Sequence, residues 1–229
     1  MEKTKCEQCN IRQLNALRGM TPSELNSISE LKEVQTLTKG KVIFGEGRKI
    51  NGIYCIRSGT TKISKRSING NEQVLRLASR GDLLGKNSLI NGGHSEVSVT
   101  AIDDVRLCFI PKTAVLDILM KNNHFSLELL KKFAQELKES DDKLLTLSQL
   151  SSKQRMAHII LFLREFGEDK EGFLRLQLSR DDIGSMAGIV AESAIRILAS
   201  FKKESWIKIS RRRLGIINID ALKHMANGY

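Results

Sequence analysis

The sequence predicts an α+β chain with a β-rich first half, a long helix, and a C-terminal helix-turn-helix carrying a hairpin. Three observations predict it. From about Glu33 to Pro111 apolar residues alternate with period two in short runs. From Lys112 onward the period becomes helical. Ser179–Phe201 (SRDDIGSMAGIVAESAIRILASF) reads as two short helices joined by a tight turn at Gly188.

Composition sets the frame. The 229 residues, 41% apolar and 28% charged, suit one large or two modest globular domains. No run approaches the ~18 apolar residues of a membrane span. MEKTKCEQCN lacks the apolar centre of a signal peptide, so a cytoplasmic location without a membrane partner is expected. In that compartment the four cysteines read as free thiols or metal ligands rather than disulfides. The net charge is +11; residues 1–111 hold 17 Lys/Arg against 11 Asp/Glu, 112–150 hold 6 against 6, and 151–229 hold 14 against 9. That balance favours a polyanionic partner, because Lys and Arg release the counterions condensed on nucleic acid.

Each element has a local cause. Thr21-Pro-Ser-Glu24 is a capping signal: Thr at the cap, Pro first in the helix, Glu three residues after the cap. A segment holding Cys6 and Cys9 precedes it. VQTLT, KVIF, GIYCIRSG, TTKISKR, EQVLRLAS, EVSVTA and VRLCFIP are β-branched runs punctuated by glycines, and Ile68-Asn-Gly-Asn71 reads as a hairpin turn. Such spacing predicts a β-sandwich or roll over residues 1–111. Residues 112–150 contain a short helix with Ala114, Leu116, Ile118 and Leu119, then a long one from about Phe125 to Leu150. There Leu130, Leu137 and Leu144 repeat every seven residues, with Asp141 on the same seam, as in a short coiled coil. Paired across a two-fold axis, Asp141 would face its twin.

Residues 151–229 form the third region. Ser151–Gln154 reads as a hinge, followed by a helix from about Gln154 to Phe166 with Met156, Ile159, Ile160 and Leu163 on one face, near His158. Phe173–Leu178 is expected as a strand. Ser179 can cap the next helix, with Asp182 at the acidic position of a capping box. The second helix places Ala194, Ile197, Leu198 and Phe201 on an apolar face and Glu192, Ile195, Arg196, Ala199 and Lys203 on the other. A guanidinium and a carboxylate one turn apart can read base edges in a major groove. Trp206–Ile209 and Leu214–Ile217 read as strands around Ser210-Arg-Arg-Arg213, whose three arginines could grip phosphates. Together these make a winged helix-turn-helix.

The order of parts, with Ile56-Arg-Ser-Gly59, Gly81-Asp-Leu-Leu-Gly85, Gln154-Arg-Met-Ala157, Leu178-Ser-Arg-Asp-Asp-Ile-Gly184 and Glu192-Ser-Ala-Ile-Arg196, closely resembles the Crp/Fnr family of bacterial transcription regulators over nearly the whole chain. The resemblance implies a cyclic-nucleotide-binding-like β-roll, a homodimer joined along the long helix, double-stranded DNA with a palindromic operator, and RNA polymerase as partner. It implies that Glu192 and Arg196, with Ser193 and Ile195 beside them, read bases. Ser179 and Arg180 would contact phosphate, joined by Arg211, Arg212 and Arg213 of the wing. Val190 departs from the family's Ser or Thr cap, and Ile195 replaces a small residue, either touching a thymine methyl or packing.

The effector pocket is expected around Gly81, Asp82, Leu83, Leu84, Gly85, Ser95 and Glu96. Cyclic nucleotide is disfavoured, because Ser95 then Glu96 stand where the family's phosphate-binding Arg belongs, although Lys86 or His94 could substitute. A second reading is an iron–sulfur cluster or thiol switch. The oxygen-sensing branch uses three N-terminal cysteines and one in the β-roll. Cys6 and Cys9 resemble the first two and Cys108 the last, but 10–15 supply no third. That set would need Cys55, another ligand type or a partner molecule, and Cys55 could be buried on the wrong face of its strand. The alternative within that reading keeps the thiols inert, with Cys6 and Cys9 on a loose tail, and a third reading is an unidentified small molecule or haem in the β-roll. Enzyme signatures such as H-E-x-x-H, G-x-x-x-x-G-K-[ST] and G-x-S-x-G are missing, so no enzyme is expected. Beside the regulator stands one non-enzyme rival, a β-roll module that binds a small molecule without a DNA role.

Overall fold

A computed structural model describes residues 5–228; Met1–Thr4 and Tyr229, the ends of the first and last expected regions, lie outside the described residues. Two compact units are present. One takes in residues up to 65 and 76–140; the other takes in 66–75 and everything from 141 onward.

The first unit opens with three short 3-10 turns, Cys6–Gln8, Asn10–Leu14 and Ala16–Gly19. Helix α1 (Pro22–Leu31) follows, with the expected Thr21/Glu24 capping box. Then come β1 (Glu33–Leu37), β2 (Val42–Phe44), β3 (Gly52–Ser58), β4 (Thr61–Arg66), β5 (Glu72–Ala78), β6 (Leu83–Leu84), a one-turn helix α2 (Lys86–Ile90), β7 (Ser98–Ala101) and β8 (Val105–Pro111). They form two four-stranded sheets, ordered β1-β8-β3-β6 and β2-β7-β4-β5. The inward residues Ile56, Leu84, Val105 and Leu107 fill the roll. On the outer side of the first sheet, Ile53, Cys55, Cys108 and Ile110 meet the N-terminal turns and helices α1 and α3 (Lys112–Lys121) in a second core.

The period-two reading therefore describes a roll, but it misses β6 and α2, which are too short to show a period. The loose tail is also overturned. Cys6 is buried, and Asn15, itself buried, binds across the fold. Its Nδ2 donates to the Gly81 carbonyl at 2.9 Å.

Helix α4 (Asn123–Gln149) carries the heptad stripe. Phe125, Glu128 and Leu129 at its start are buried. Beyond them Leu130, Leu137 and Leu144 are 63%, 65% and 66% exposed, and Asp141 is exposed on the same stripe.

In the second unit, α5 (Ser152–Arg164) starts earlier than expected, because Ser151 caps it and forms a capping box with Gln154. Its Met156, Ala157, Ile160 and Leu163 are buried, while His158 is exposed, as are His94, His124 and His224. The strand expected over Phe173–Leu178 does not form; that stretch makes an isolated bridge from Leu174 to Glu168, donates the Leu174 N–H to the Leu214 carbonyl at 2.7 Å, and buries Phe173, Leu174, Leu176 and Leu178. Alternation there signals burial, with a backbone bond to Leu214 in place of a strand ladder. Helices α6 (Arg180–Met186) and α7 (Ala191–Lys203) are followed by the hairpin β9 (Ile207–Ser210) and β10 (Arg213–Ile216). A last helix, α8 (Ile219–Asn227), was not anticipated, although Asn218 caps it and Leu222 and Ala226 recur one turn apart on its buried side. Among the described residues no single helix is long and apolar enough to cross a membrane.

Candidate nucleic-acid interface and signal-receiving site

Helices α6 and α7 are built around one left-handed residue. Gly188 has φ +64°, and a Cβ there would lie 2.6 Å from Leu147 Cδ2, so any larger residue meets both backbone strain and a clash. Ser179 Oγ accepts the Asp182 N–H at 2.9 Å and donates to Asp182 Oδ2 at 2.8 Å, which closes the first turn of α6. Val190 gives α7 no side-chain cap.

The turn is braced by a residue that sequence reading placed only within a family motif. Arg155 donates from Nε to the Ala187 carbonyl at 2.7 Å and from Nη1 to the Leu150 carbonyl at 2.6 Å. The second bond satisfies an orphan carbonyl just past the C-terminus of α4, where a cation is also favoured by the helix dipole. Arg155→Ala is expected to destabilise the second unit by about 1.5–3 kcal/mol, the range for charge-assisted hydrogen bonds. Urea unfolding followed through Trp206 fluorescence reads it; a loss within ±0.5 kcal/mol would remove Arg155 from this role.

Burial sorts α7 as its periodicity predicts. Ala194, Ile197, Leu198 and Phe201 are buried, with the Phe201 ring 5.0 Å from that of Trp206. Glu192, Ile195, Arg196, Ala199 and Lys203 are exposed, and Ser193 is half-buried. Ile195, at 53% exposure, does not pack inward, which leaves it free to touch an apolar group such as a thymine methyl. Arg180 is half-buried with its Nη1 lacking a hydrogen-bond partner, and desolvation lowers its pKa from the ordinary value.

The three wing arginines divide. Arg211 sits at the hairpin tip with φ +53°, and Arg212 is exposed beside it. Arg213 departs from the expected phosphate role: it lies within β10, its Nη2 is 2.6 Å from Asp169 Oδ2, its Nη1 is 3.0 Å from Glu171 Oε2, and its guanidinium stacks 4.1 Å from the Phe173 ring centre. The Phe173 N–H, and with it Arg213, holds the Asp169 carboxyl below its ordinary pKa. Two carboxylates and a ring occupy this side chain, so it braces the wing.

In the first unit the expected pocket residues are largely engaged within the protein. Gly81 and Gly85 have φ of +98° and +81°. Asp82 Oδ2 accepts the Ser79 N–H at 2.8 Å, and Leu83 and Leu84 are buried. Ser95 Oγ donates to the Val97 carbonyl and accepts the Val97 N–H, which closes a local turn, while Glu96 points outward and pairs loosely with Lys65 at 3.8 Å. Lys86 is no free phosphate ligand: its Nζ lies 2.7 Å from Glu136 Oε1 and 5.5 Å from the Phe133 ring centre, with Arg76 on the same carboxylate at 3.1 Å.

The cysteines gather instead. Cys6, Cys55 and Cys108 share one buried cluster, with Cys9 packed against it. Cys55 therefore does not face away from the other thiols. All four are free thiols. Among the described residues no three His, Cys, Asp or Glu side chains already stand at metal-holding spacing.

Comparisons with known proteins agree with this architecture. Residues 34–122 match the cyclic nucleotide-binding domain model, and residues 154–225 match the Crp-like helix-turn-helix domain model. The chain is 30% identical over 227 residues to the fumarate and nitrate reduction regulatory protein of Escherichia coli strain K12, covering 96% of this chain and 90% of that one. Among solved structures it superposes on FixK2 from Bradyrhizobium japonicum with a TM-score of 0.73 at 21% identity, covering 85% of this chain and 96% of that one. It also superposes on TTHA1359, a CRP/FNR-family transcriptional regulator from Thermus thermophilus, with a TM-score of 0.70 at 23% identity, covering 85% and 98%.

Proposed function

Because the chain belongs to the Crp/Fnr family and is a DNA-binding transcription regulator, we propose that it works as a cytoplasmic homodimer that reads a two-fold-symmetric operator and meets RNA polymerase there. The carrying observation is the exposed Glu192/Arg196 face of α7, together with the exposed Arg212 of the hairpin that follows it in the chain. Arg can donate two hydrogen bonds to guanine O6 and N7, and Glu can accept from a cytosine amino group. Ser193 and Ile195 flank them. Ser179, Arg180, Arg211 and Arg212 would hold phosphates, while Arg213 shapes the wing. Residues 112–150 would supply the dimer seam, where the exposed Leu130, Leu137 and Leu144 stripe needs a cover. Residues 1–111 would receive the signal, and the gathered thiols favour a redox or metal signal over a cyclic nucleotide. Cys6, Cys9 and Cys108 are the residues that would hold an iron–sulfur cluster, whose bound chemistry would be oxidant sensitivity.

Selection from random DNA duplexes tests this reading. Enrichment of a two-fold-symmetric site is expected, and failure to enrich any such site under oxidising and reducing conditions would overturn it. The wing supplies a sharper prediction. Arg212→Ala should weaken all sequences about equally and lower the slope of log affinity against log salt by about 1. Arg213→Ala should leave that slope unchanged, because its charge is already paired with Asp169 and Glu171. Equal slope changes in both variants would refute the division.

A further inference from the structure

Helix α1 holds the first cysteine at both its backbone and its sulfur. Ser29 Oγ accepts the Cys6 N–H at 2.7 Å and donates to the Leu25 carbonyl at 2.8 Å. Three residues on, Lys32 closes the helix, its N–H donating to the Ile28 carbonyl at 2.9 Å. The Lys32 side chain turns back to the same cysteine and places Nζ 3.1 Å from Cys6 Sγ. Lys32 is 2% exposed and Cys6 8%, so a primary amine and a thiol meet almost out of reach of water. Cys55 differs. The nitrogen that donates to its sulfur, at 3.4 Å, is the Asn15 amide, whose lone pair is delocalised into its carbonyl and is no nucleophile.

We propose that Cys6 and Lys32 form a redox cross-link site, at which oxidation by dioxygen joins Lys32 Nζ to Cys6 Sγ through one bridging oxygen atom. The S–H bond and two N–H bonds of the ammonium break, one N–O and one O–S bond form, and the O=O bond is split. One oxygen atom becomes the bridge. The other leaves as water with two of the hydrogens, and the third goes to solvent as a proton. Sulfur and nitrogen each give up two electrons, and dioxygen takes all four. An interposed oxygen asks the two atoms to approach only slightly from hydrogen-bond contact, whereas a direct S–N bond asks for a far larger closure. Dioxygen is small and apolar, so it meets no desolvation penalty on entering a buried site. Oxidation to sulfenic acid or a disulfide runs fastest from an exposed thiolate, and burial of Cys6 disfavours that route. The link joins positions 26 residues apart and pins the first N-terminal turn to α1. A bridged Cys6 has no thiolate left to offer a metal. As chemistry the site stands apart from the DNA-binding reading; as a signal it rests on reading the first unit as the receiver.

The test uses full-length wild type, Lys32→Met and Cys6→Ala, each purified with a dithiol and a chelator, then either kept reduced or exposed to air after their removal. Remaining thiols are alkylated under denaturing conditions, and intact mass and tryptic peptides are read without reductant. Air-exposed wild type should gain one oxygen and lose two hydrogens. It should resist trypsin after Lys32 and yield the Cys6 and Lys32 peptides as one cross-linked species that excess dithiol separates. Both substitutions should abolish that species. An air-exposed wild type whose Cys6 is a free thiol, a sulfinic acid or half of a disulfide with Cys9, Cys55 or Cys108 overturns the proposal without relying on either variant's fold. The same mass gain in Lys32→Met also overturns it. DNA selection on reduced and bridged wild type keeps the readings apart. Enrichment of a symmetric site without the link refutes only the cross-link. The link without enrichment in either state refutes only the regulator, and equal DNA affinity of the two forms refutes only the use of the link as a signal.

Discussion

Glu136→Leu is expected to destabilise the first unit by about 3–5 kcal/mol, because it strands a buried charge. Lys86 and Glu136 side chains are 4% and 15% exposed, and their ion pair is 2.7 Å long. Burial lowers the Lys86 pKa below its ordinary value, while Glu136 pushes it back up. A lysine whose folded pKa is depressed contributes stability that is fully present above its unfolded value and is lost as pH falls through its folded value. Removing Glu136 lowers the folded value further and widens that window downward. The variant should therefore regain stability over a wider alkaline range than wild type. Urea unfolding followed by far-UV circular dichroism between pH 7 and 10.5 reads this, with Trp206 reporting on the second unit as an internal control. The double variant Lys86→Met/Glu136→Leu should recover most of the loss, since a matched apolar pair is often as stable as a buried ion pair. A single variant within 1 kcal/mol of wild type, or a double variant no better than the single, would refute the account.

Arg196→Ala is expected to remove about 1–3 kcal/mol of discrimination at one guanine per half-site, roughly 5–150-fold, with little change at other positions. The side chain is exposed on α7, one turn from Glu192 and on the face opposite Ile197 and Phe201, so the substitution leaves the packing of the helix intact. Competition binding against single-base variants of the selected operator gives the measurement. Uniform weakening across all positions would make Arg196 a phosphate contact instead.

Much of the fold was legible because it follows from local periods and caps. Period two in residues 33–111 marked the strands, and three- and four-residue spacing marked α4, α5 and α7. The caps at Thr21 and Ser179, the turn at Gly188 and the missing cap at Val190 were all readable, because each depends on residues within one or two turns. The segment 173–178 misled because burial alone produced its alternation. Helix α2 was missed because five residues hold too little period to see.

The candidate site divides in the same way. By itself the sequence determined the architecture and the exposed face of α7, since an amphipathic helix declares which residues point out. Only the tertiary structure decided that Arg213 is captured by carboxylates more than forty residues away, that Lys86 is tied to Glu136 fifty residues on, and that Cys55 joins Cys6, Cys9 and Cys108. The physical reason is common to all three. A charge or thiol takes its chemistry from neighbours within a few ångströms, and chain reversals bring those neighbours from far along the sequence, where no local period records them.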